Sequence, residues 1–307
     1  MKHHWDNYTT ISIVHFMAYP ETIRGEGPIV ETLARLAEDD FFGGVEIGWI
    51  KDRAVRAEAR SILEQSHLQV AYGAQPALLL QGLDLNSTDP DMRARALAQM
   101  KACMEEAVEM GARRMAFLSG KDPGPTKREE ARKYLLDVVR EMCQYARQVG
   151  LEGLTMETFD RAVDKKALIG PSDEAAAFAA EVRRDFPEFG LMYDLSHLPL
   201  LDEEPEKALS LLKDHLKHVH VGNCVKVPGR EGYGDLHPRF GFPGGENDVP
   251  ELARFIRALF AVGYLKEDSG LDKPWIGFEV KPWSGERSEL VIANAKRVWK
   301  QAWYAVG

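Results

Sequence analysis

Eight short runs of β-forming residues recur along this chain, separated by helix-length amphipathic segments. The runs fall at 11–16, 44–49, 68–73, 114–118, 154–157, 190–194, 218–222 and 275–280. Most are almost continuously apolar, as strands covered on both faces must be. Helical patterns lie between them at 28–39, 52–65, 89–110, 127–149, 205–215, 249–262 and 286–303, with a further one opening at Ser172. Their ends carry the usual signals. Pro28 suits a first helical turn, Ser172 reads as a capping hydroxyl ahead of Asp173 and Glu174, and Gly111, Gly150 and Gly263 follow helix ends. A strand joined by a helical crossover to the next strand builds a parallel sheet, and eight such units favour closure. The expected fold is α/β, a (β/α)8 TIM barrel, as a single domain over residues 1–307. An open doubly wound sheet gains nothing here, because no GxGxxG turn follows an early strand.

Composition narrows the partners. With 48 acidic and 39 basic residues the net charge is −9, and an acidic surface repels phosphate backbones, so no nucleic-acid partner is expected. No apolar run reaches the roughly 18 residues of a membrane span, and Met1-Lys2-His3-His4-Trp5-Asp6 contains no apolar signal core. Cys103, Cys143 and Cys224 lack paired or zinc-knuckle spacing, which suits a reducing cytoplasm. Cys224 is not expected to bind metal. The longest irregular stretch, 225–248, is rich in Gly, Pro and aromatics and reads as a site loop. The aromatic last helix, with Trp299, Trp303 and Tyr304, suits either closure of the barrel bottom or a homo-oligomer contact.

Barrels of this kind place their active sites at the C-terminal ends of the strands. The fifth run ends Thr155-Met156-Glu157, and the sixth Met192-Tyr193-Asp194, followed by Leu195-Ser196-His197. The seventh reads His218-Val219-His220, and the eighth ends Gly277-Phe278-Glu279. Four consecutive strands thus bring Glu, Asp, His and Glu to one rim. Three carboxylates beside an imidazole repel one another unless a cation joins them, and a divalent Mn²⁺, Mg²⁺, Co²⁺ or Zn²⁺ ion suits mixed N/O ligation. His218 shares a strand face with His220 and is expected lower in the barrel, packing there or orienting its neighbour.

These residues resemble the xylose isomerase-like TIM-barrel superfamily, which holds sugar-phosphate isomerases and epimerases, ketose 3-epimerases, inosose dehydratases and endonuclease IV. The resemblance rests on Glu157, the Asp-x-x-His of Asp194-Leu195-Ser196-His197, the His-x-His of His218-Val219-His220, and Glu279. It implies Glu157, Asp194, His220 and Glu279 as metal ligands, with Glu157 and Glu279 doubling as the acid/base pair. The chain departs from the ketose 3-epimerase pattern at Val163, where that group has a second Glu, and at Lys226, where it has an Arg. Asp235-Leu236-His237 is similar to an Asp-x-His of endonuclease IV and implies a second metal at His197, Asp235 and His237. The competing account has Asp235 and His237 order their loop or bind substrate hydroxyls. The nuclease's early histidines find no match near Gln75 or Ser119, which argues with the net charge against DNA repair.

The implied chemistry is that of an isomerase or epimerase acting on a small sugar or keto-sugar. A proton moves next to a carbonyl through a metal-stabilised enediolate, passed between Glu157 and Glu279, with His197 bonding the substrate oxygen or relaying the proton. Further rim candidates for substrate binding are His15, Glu46, Asn223 and Lys281, and Trp49, Tyr233, Phe240, Phe242 and Trp283 are candidates for stacking on sugar faces. The same apparatus supports a lyase or dehydratase that eliminates a β-substituent from a keto-sugar or keto-glycoside. A non-catalytic sugar-binding barrel is the reading from a different class.

Overall fold

The computed structural model describes residues 3–267, 270 and 272–307. Its strands are β1 (Thr10–Val14), β2 (Gly44–Ile47), β3 (Gln69–Gly73), β4 (Arg114–Leu118), β5 (Gly153–Glu157), β6 (Gly190–Asp194), β7 (Leu216–Gly222) and β8 (Trp275–Glu279). All neighbouring pairs are parallel, and β8 pairs back onto β1, which closes the sheet into a barrel in sequence order. Because every strand runs the same way, all eight C-terminal ends meet at one mouth.

The helices are α1 (His15–Ala18), α2 (Ile29–Ala37), α3 (Arg53–Ser66), α4 (Gln75–Leu79), α5 (Pro90–Glu109), α6 (Arg128–Val149), α7 (Ser172–Val182), α8 (Leu198–Leu201), α9 (Pro205–Leu212), α10 (Val249–Ala261) and α11 (Ser288–Val306). The long ones match the amphipathic segments of the sequence. The short α1, α4 and α8 follow directly on β1, β3 and β6 and were not legible. One of them corrects a boundary: β1 stops at Val14, and His15 opens α1 instead of ending the strand. A second correction concerns α7. Ser172 is its first helical residue, and Pro171 precedes it as cap. Glu203 replaces the expected capping hydroxyl. Its carboxylate accepts from Ser172 N at 2.8 Å and Ser172 Oγ at 2.6 Å, which neutralises the exposed N–H end of the helix.

Between barrel and helices the core is aromatic along α11. Trp299 is fully buried, its ring 5.8 Å from Phe278 of β8 and stacked on Trp303 at 5.7 Å. Trp303 also packs on Tyr8 and Phe260. Both tryptophans are therefore spent inside their own chain, and only Tyr304 of that trio, 77% exposed, faces outward. The three cysteines are free and buried. Among the described residues, no helix is long and apolar enough to cross a membrane. Trp299→Ala is expected to cost about 3–5 kcal/mol, because the barrel wall and α11 cannot collapse into so large a void. The shift in the chemical-denaturation midpoint measures it.

Candidate metal centre and active site

Strand register sets the site. Glu157 lies opposite Met192, Asp194 opposite His220, and Glu279 opposite Gly222, so the strand ends rise together at the mouth. Glu157, Asp194, His220 and Glu279 each bring one ligand atom within 4.8 Å of the others, and all are largely or wholly buried. His220 Nδ1 sits 2.7 Å from Glu279 Oε2 and 3.6 Å from Glu157 Oε1. Gln75, at the start of α4, donates its Nε2–H to Glu157 Oε2 at 2.7 Å, and Ser196 N donates to Asp194 Oδ1 at 2.7 Å. The other oxygens, Glu157 Oε1 and Asp194 Oδ2, are buried and have no hydrogen-bond donor. Buried carboxylate oxygens without a donor are costly. A divalent cation among these four groups satisfies both oxygens, so the donor set fits one.

Beneath this cluster Glu46 of β2 sets the imidazole. Its Oε2 accepts from His220 Nε2 at 2.8 Å, and its Oε1 lies 3.0 Å from His218 Nε2 and accepts from Ser12 Oγ at 2.6 Å. A proton held on Nε2 by Glu46 leaves Nδ1 of His220 as the nitrogen facing the carboxylates. Burial opposes charge on Glu46, yet His218 and His220 hold its carboxyl well below the usual range. Burial also works against a charged His220, and Glu46, Glu157 and Glu279 outweigh it, raising that imidazole well above its ordinary value. Space for this pair comes from Gly277 of β8. A Cβ there would stand 2.1 Å from Glu46 Oε1 and 2.8 Å from His220 Cδ2.

A second group adjoins the first. Asp194, His197 and His237 also bring ligand atoms within 4.8 Å of one another. His197 Nδ1 is 2.7 Å from the Thr158 carbonyl, to which it donates, and its Nε2 faces Asp235 Oδ1 at 3.2 Å. His237 Nε2 lies 3.0 Å from the same oxygen. Burial lowers the proton affinity of both rings, but nearby carboxylates more than compensate. His197 rises to about 10, mainly through Asp235, and His237 to about 9, through Glu279 and Asp235. Burial raises Asp194, with Glu279 adding to the effect. The Asp160 carboxylate gathers the backbone N–H groups of Val163, Asp164 and Lys165, and so aims Lys165 at Asp235 Oδ2, 2.9 Å away. His237 itself has left-handed backbone, φ 50°, a conformation costing about 1–3 kcal/mol in a non-glycine residue. Lys281 N pins it by donating to its carbonyl at 2.7 Å.

Above both groups opens a cavity of about 190 Å³. Glu46, Gln75, Glu157, Lys165, Asp235, His237, Glu279 and Lys281 form its polar side. Three residues expected to contact substrate do not line it: His197, held in the second group, and two others. His15 is buried with Nε2 2.7 Å from Thr32 Oγ1, because α1 turns it away from the mouth. Asn223 is fully used in tying down the 225–248 loop, accepting from Cys224 N and Asn247 N and donating to the Arg239 carbonyl. Trp49, Tyr233, Phe240, Phe242 and Trp283 do not line the cavity, whereas Phe16 and Phe159 do. Lys226 pairs with Asp202 at the surface. Cys224 lies outside both ligand groups, and burial pushes its thiol far up.

A family model described as the xylose isomerase-like TIM barrel matches residues 33–298. The chain belongs to that family. Solved structures with the same fold include a D-psicose 3-epimerase bound to D-tagatose from Clostridium cellulolyticum H10, at 17% identity and TM-score 0.70 over 97% of this chain and 99% of that one. An L-ribulose 3-epimerase superposes with TM-score 0.71 at 17% identity, over 97% of this chain and 95% of its own. A 3-keto-D-glucoside 4-epimerase from E. coli does so with TM-score 0.65 at 17% identity, over 95% and 99%. No curated protein matches the sequence.

Within this xylose isomerase-like barrel, sequence reasoning missed Lys165 and the apolar residues of the cavity. Lys165 stands in a run of Asp164-Lys165-Lys166 that no spacing rule distinguishes from a solvated turn. Two outcomes are expected. Gly277→Ala displaces Glu46 from His220 and weakens divalent-metal affinity about 10- to 100-fold, as loss of a group orienting a ligand does. Metal titration followed by calorimetry reads it. Burial holds His15 neutral, down to about 3 from 6.5, so the unfolded chain takes up a proton that the folded one refuses. Its contribution is complete above pH 6.5 and is lost as pH falls toward 3. Near pH 5 that amounts to about 2 kcal/mol, seen as a wild-type stability that declines more steeply than that of His15→Gln.

Proposed function

We propose that this protein is a divalent-metal-dependent isomerase or epimerase that moves a proton next to the carbonyl of a sugar or keto-sugar. The observation that carries the reading is the convergence of Glu157, Asp194, His220 and Glu279, with two carboxylate oxygens lacking donors, where Glu157, His220 and Glu279 line the cavity. The epimerases that share the fold act on sugars of this kind by their names, which supports the substrate class. A metal held by these four residues would supply charge balance and Lewis-acid polarisation of the substrate carbonyl. Mn²⁺, Mg²⁺, Co²⁺ and Zn²⁺ all suit the donor set.

The chain's own groups supply the rest. Glu157 and Glu279 stand on β5 and β8 and both border the cavity, so one removes the proton and the other returns it. Gln75 holds Glu157 by one oxygen and leaves the other free. His237 borders the cavity and offers nitrogen to substrate oxygens or to the proton relay, and His197, fixed through its Nδ1–H, stands behind it beside Asp194 for the relay. Lys281 is a cation on the cavity wall, suited to an oxyanion or acid group of the substrate. Asp235 and His237 bind hydroxyls in this reading, and a second metal at His197, Asp235 and His237, with Asp194 beside them, is its dinuclear form. Three free thiols are compatible with a cytoplasmic setting.

A lyase reading remains tied to the same first step, since abstraction next to the carbonyl can be followed by loss of a β-substituent. Elemental analysis of chelator-free protein is expected to give about one divalent ion per chain, absent from both Glu157→Gln and Asp194→Asn. Two ions, one of them lost in His237→Ala, establish the dinuclear form. The metal-loaded protein, given keto-sugars in D₂O, is expected to incorporate deuterium next to the carbonyl, with Glu157→Gln slowed about 10²- to 10⁴-fold. An epimer as product supports the proposal, an unsaturated or cleaved product supports the lyase, and protein that neither holds metal nor exchanges protons is a sugar-binding barrel.

A further inference from the structure

The cavity has two chemically different walls, and they lie on different parts of the mouth. Most of its charged groups come from the ends of β5, β7 and β8 and from their loops, joined by Glu46 of β2 and Gln75 of α4. Most of the apolar lining comes from two early connections: Phe16, Met17 and Ile23 follow β1, and Pro76, Leu79 and Leu80 follow β3, with Phe159 and Leu236 added from later ones. A free sugar offers only small C–H faces between its hydroxyls and leaves most of a lining of six such side chains unmatched. The enclosed volume, about 190 Å³, falls below the roughly 300–1,000 Å³ of clefts for larger ligands. Only a small ring is enclosed, and whatever it carries must leave through the mouth. Its exposed edge carries Leu79 and Leu80, 46% and 39% exposed, the last residue and the C-cap of the five-residue helix α4 that also presents Gln75 to Glu157. Two large aliphatic side chains held in water beside a catalytic cluster mark a binding face, where scattered single ones would not.

We propose that the substrate is a keto-sugar bearing an apolar, ring-sized substituent, with the sugar on the polar floor and the substituent against Phe16, Met17, Ile23, Pro76, Leu79 and Leu80. This rests on the keto-sugar reading for the polar half only; the apolar half stands on its own lining. Continuity with the cluster places the substituent on the same molecule that reacts.

The probes are methyl and phenyl β-D-glucopyranoside, unreactive glycosides that differ only in the substituent, titrated calorimetrically into metal-reconstituted protein. The phenyl glycoside is expected to bind at least ten-fold tighter, about 1.4 kcal/mol. The double variant Leu79→Ser/Leu80→Ser, altered at exposed positions that the fold does not need, is expected to reduce the preference to less than three-fold. Equal binding of the two probes, binding of neither, or a preference unchanged in the variant overturns the inference. Metal content of the same sample separates the two claims. Stoichiometric metal without phenyl preference removes the apolar subsite and leaves the proton-transfer function. Preference without any bound metal keeps the subsite and removes the metal-dependent chemistry.

Discussion

Mutual repulsion among buried carboxylates is the constraint around which the barrel mouth is arranged. Glu46, Glu157, Asp194, Asp235 and Glu279 all stand in or beside one water-poor space, where like charges interact far more strongly than in solvent. Each is answered locally. Glu46 has His218, His220 and Ser12, Glu157 has Gln75, Asp194 has the Ser196 amide, Asp235 has Lys165 with two imidazoles, and Glu279 has the Nδ1 side of His220. What remains after this accounting is Glu157 Oε1 and Asp194 Oδ2, with Glu279 beside them. The surrounding protein thus compensates most of the negative charge and leaves a residue of it at one point, which is how a binding centre for a small cation is made selective in position.

The supports are drawn from all around the barrel. Glu46 reaches His220 from β2, on the other side of β8 and β1, and Gly277 on β8 is the gap through which the two meet. The 225–248 loop is made rigid by Asn223 and Asn247, whose amides bond backbone on both sides of it, so Asp235 and His237 are delivered as fixed groups and not as a swinging flap. The left-handed turn at His237 is tolerated because this anchoring over-determines it.

How much of this the sequence disclosed follows a physical divide. Strand periodicity and the rule that parallel barrels work at their C-terminal ends made the fold and the rim positions of Glu157, Asp194, His220 and Glu279 legible. Those four need only their own strand to be placed. Glu46 was read as a candidate for substrate and does line the cavity, but its bonds to His218 and His220 were not legible, because that proximity arises from barrel closure between distant segments. His15 was misplaced by a single turn of α1, which lies below the length at which periodicity speaks. Lys165 was invisible because the Asp160 turn that aims it is a set of backbone hydrogen bonds with no apolar pattern. The apolar wall was overlooked because hydrophobic residues next to strands read as core until a cavity is seen beside them.

The separation of the two walls has a further consequence. The groups proposed to react sit on late strands, while Phe16, Met17 and Ile23 sit on the first connection and Leu79 and Leu80 on the third. Replacements of those side chains would reshape the apolar lining, provided that Gln75, on the same third connection as Leu79 and Leu80, keeps its bond to Glu157. A lineage built on this plan can change its apolar lining side chain by side chain, with Gln75 as the one point at which that lining and the late-strand cluster are tied together.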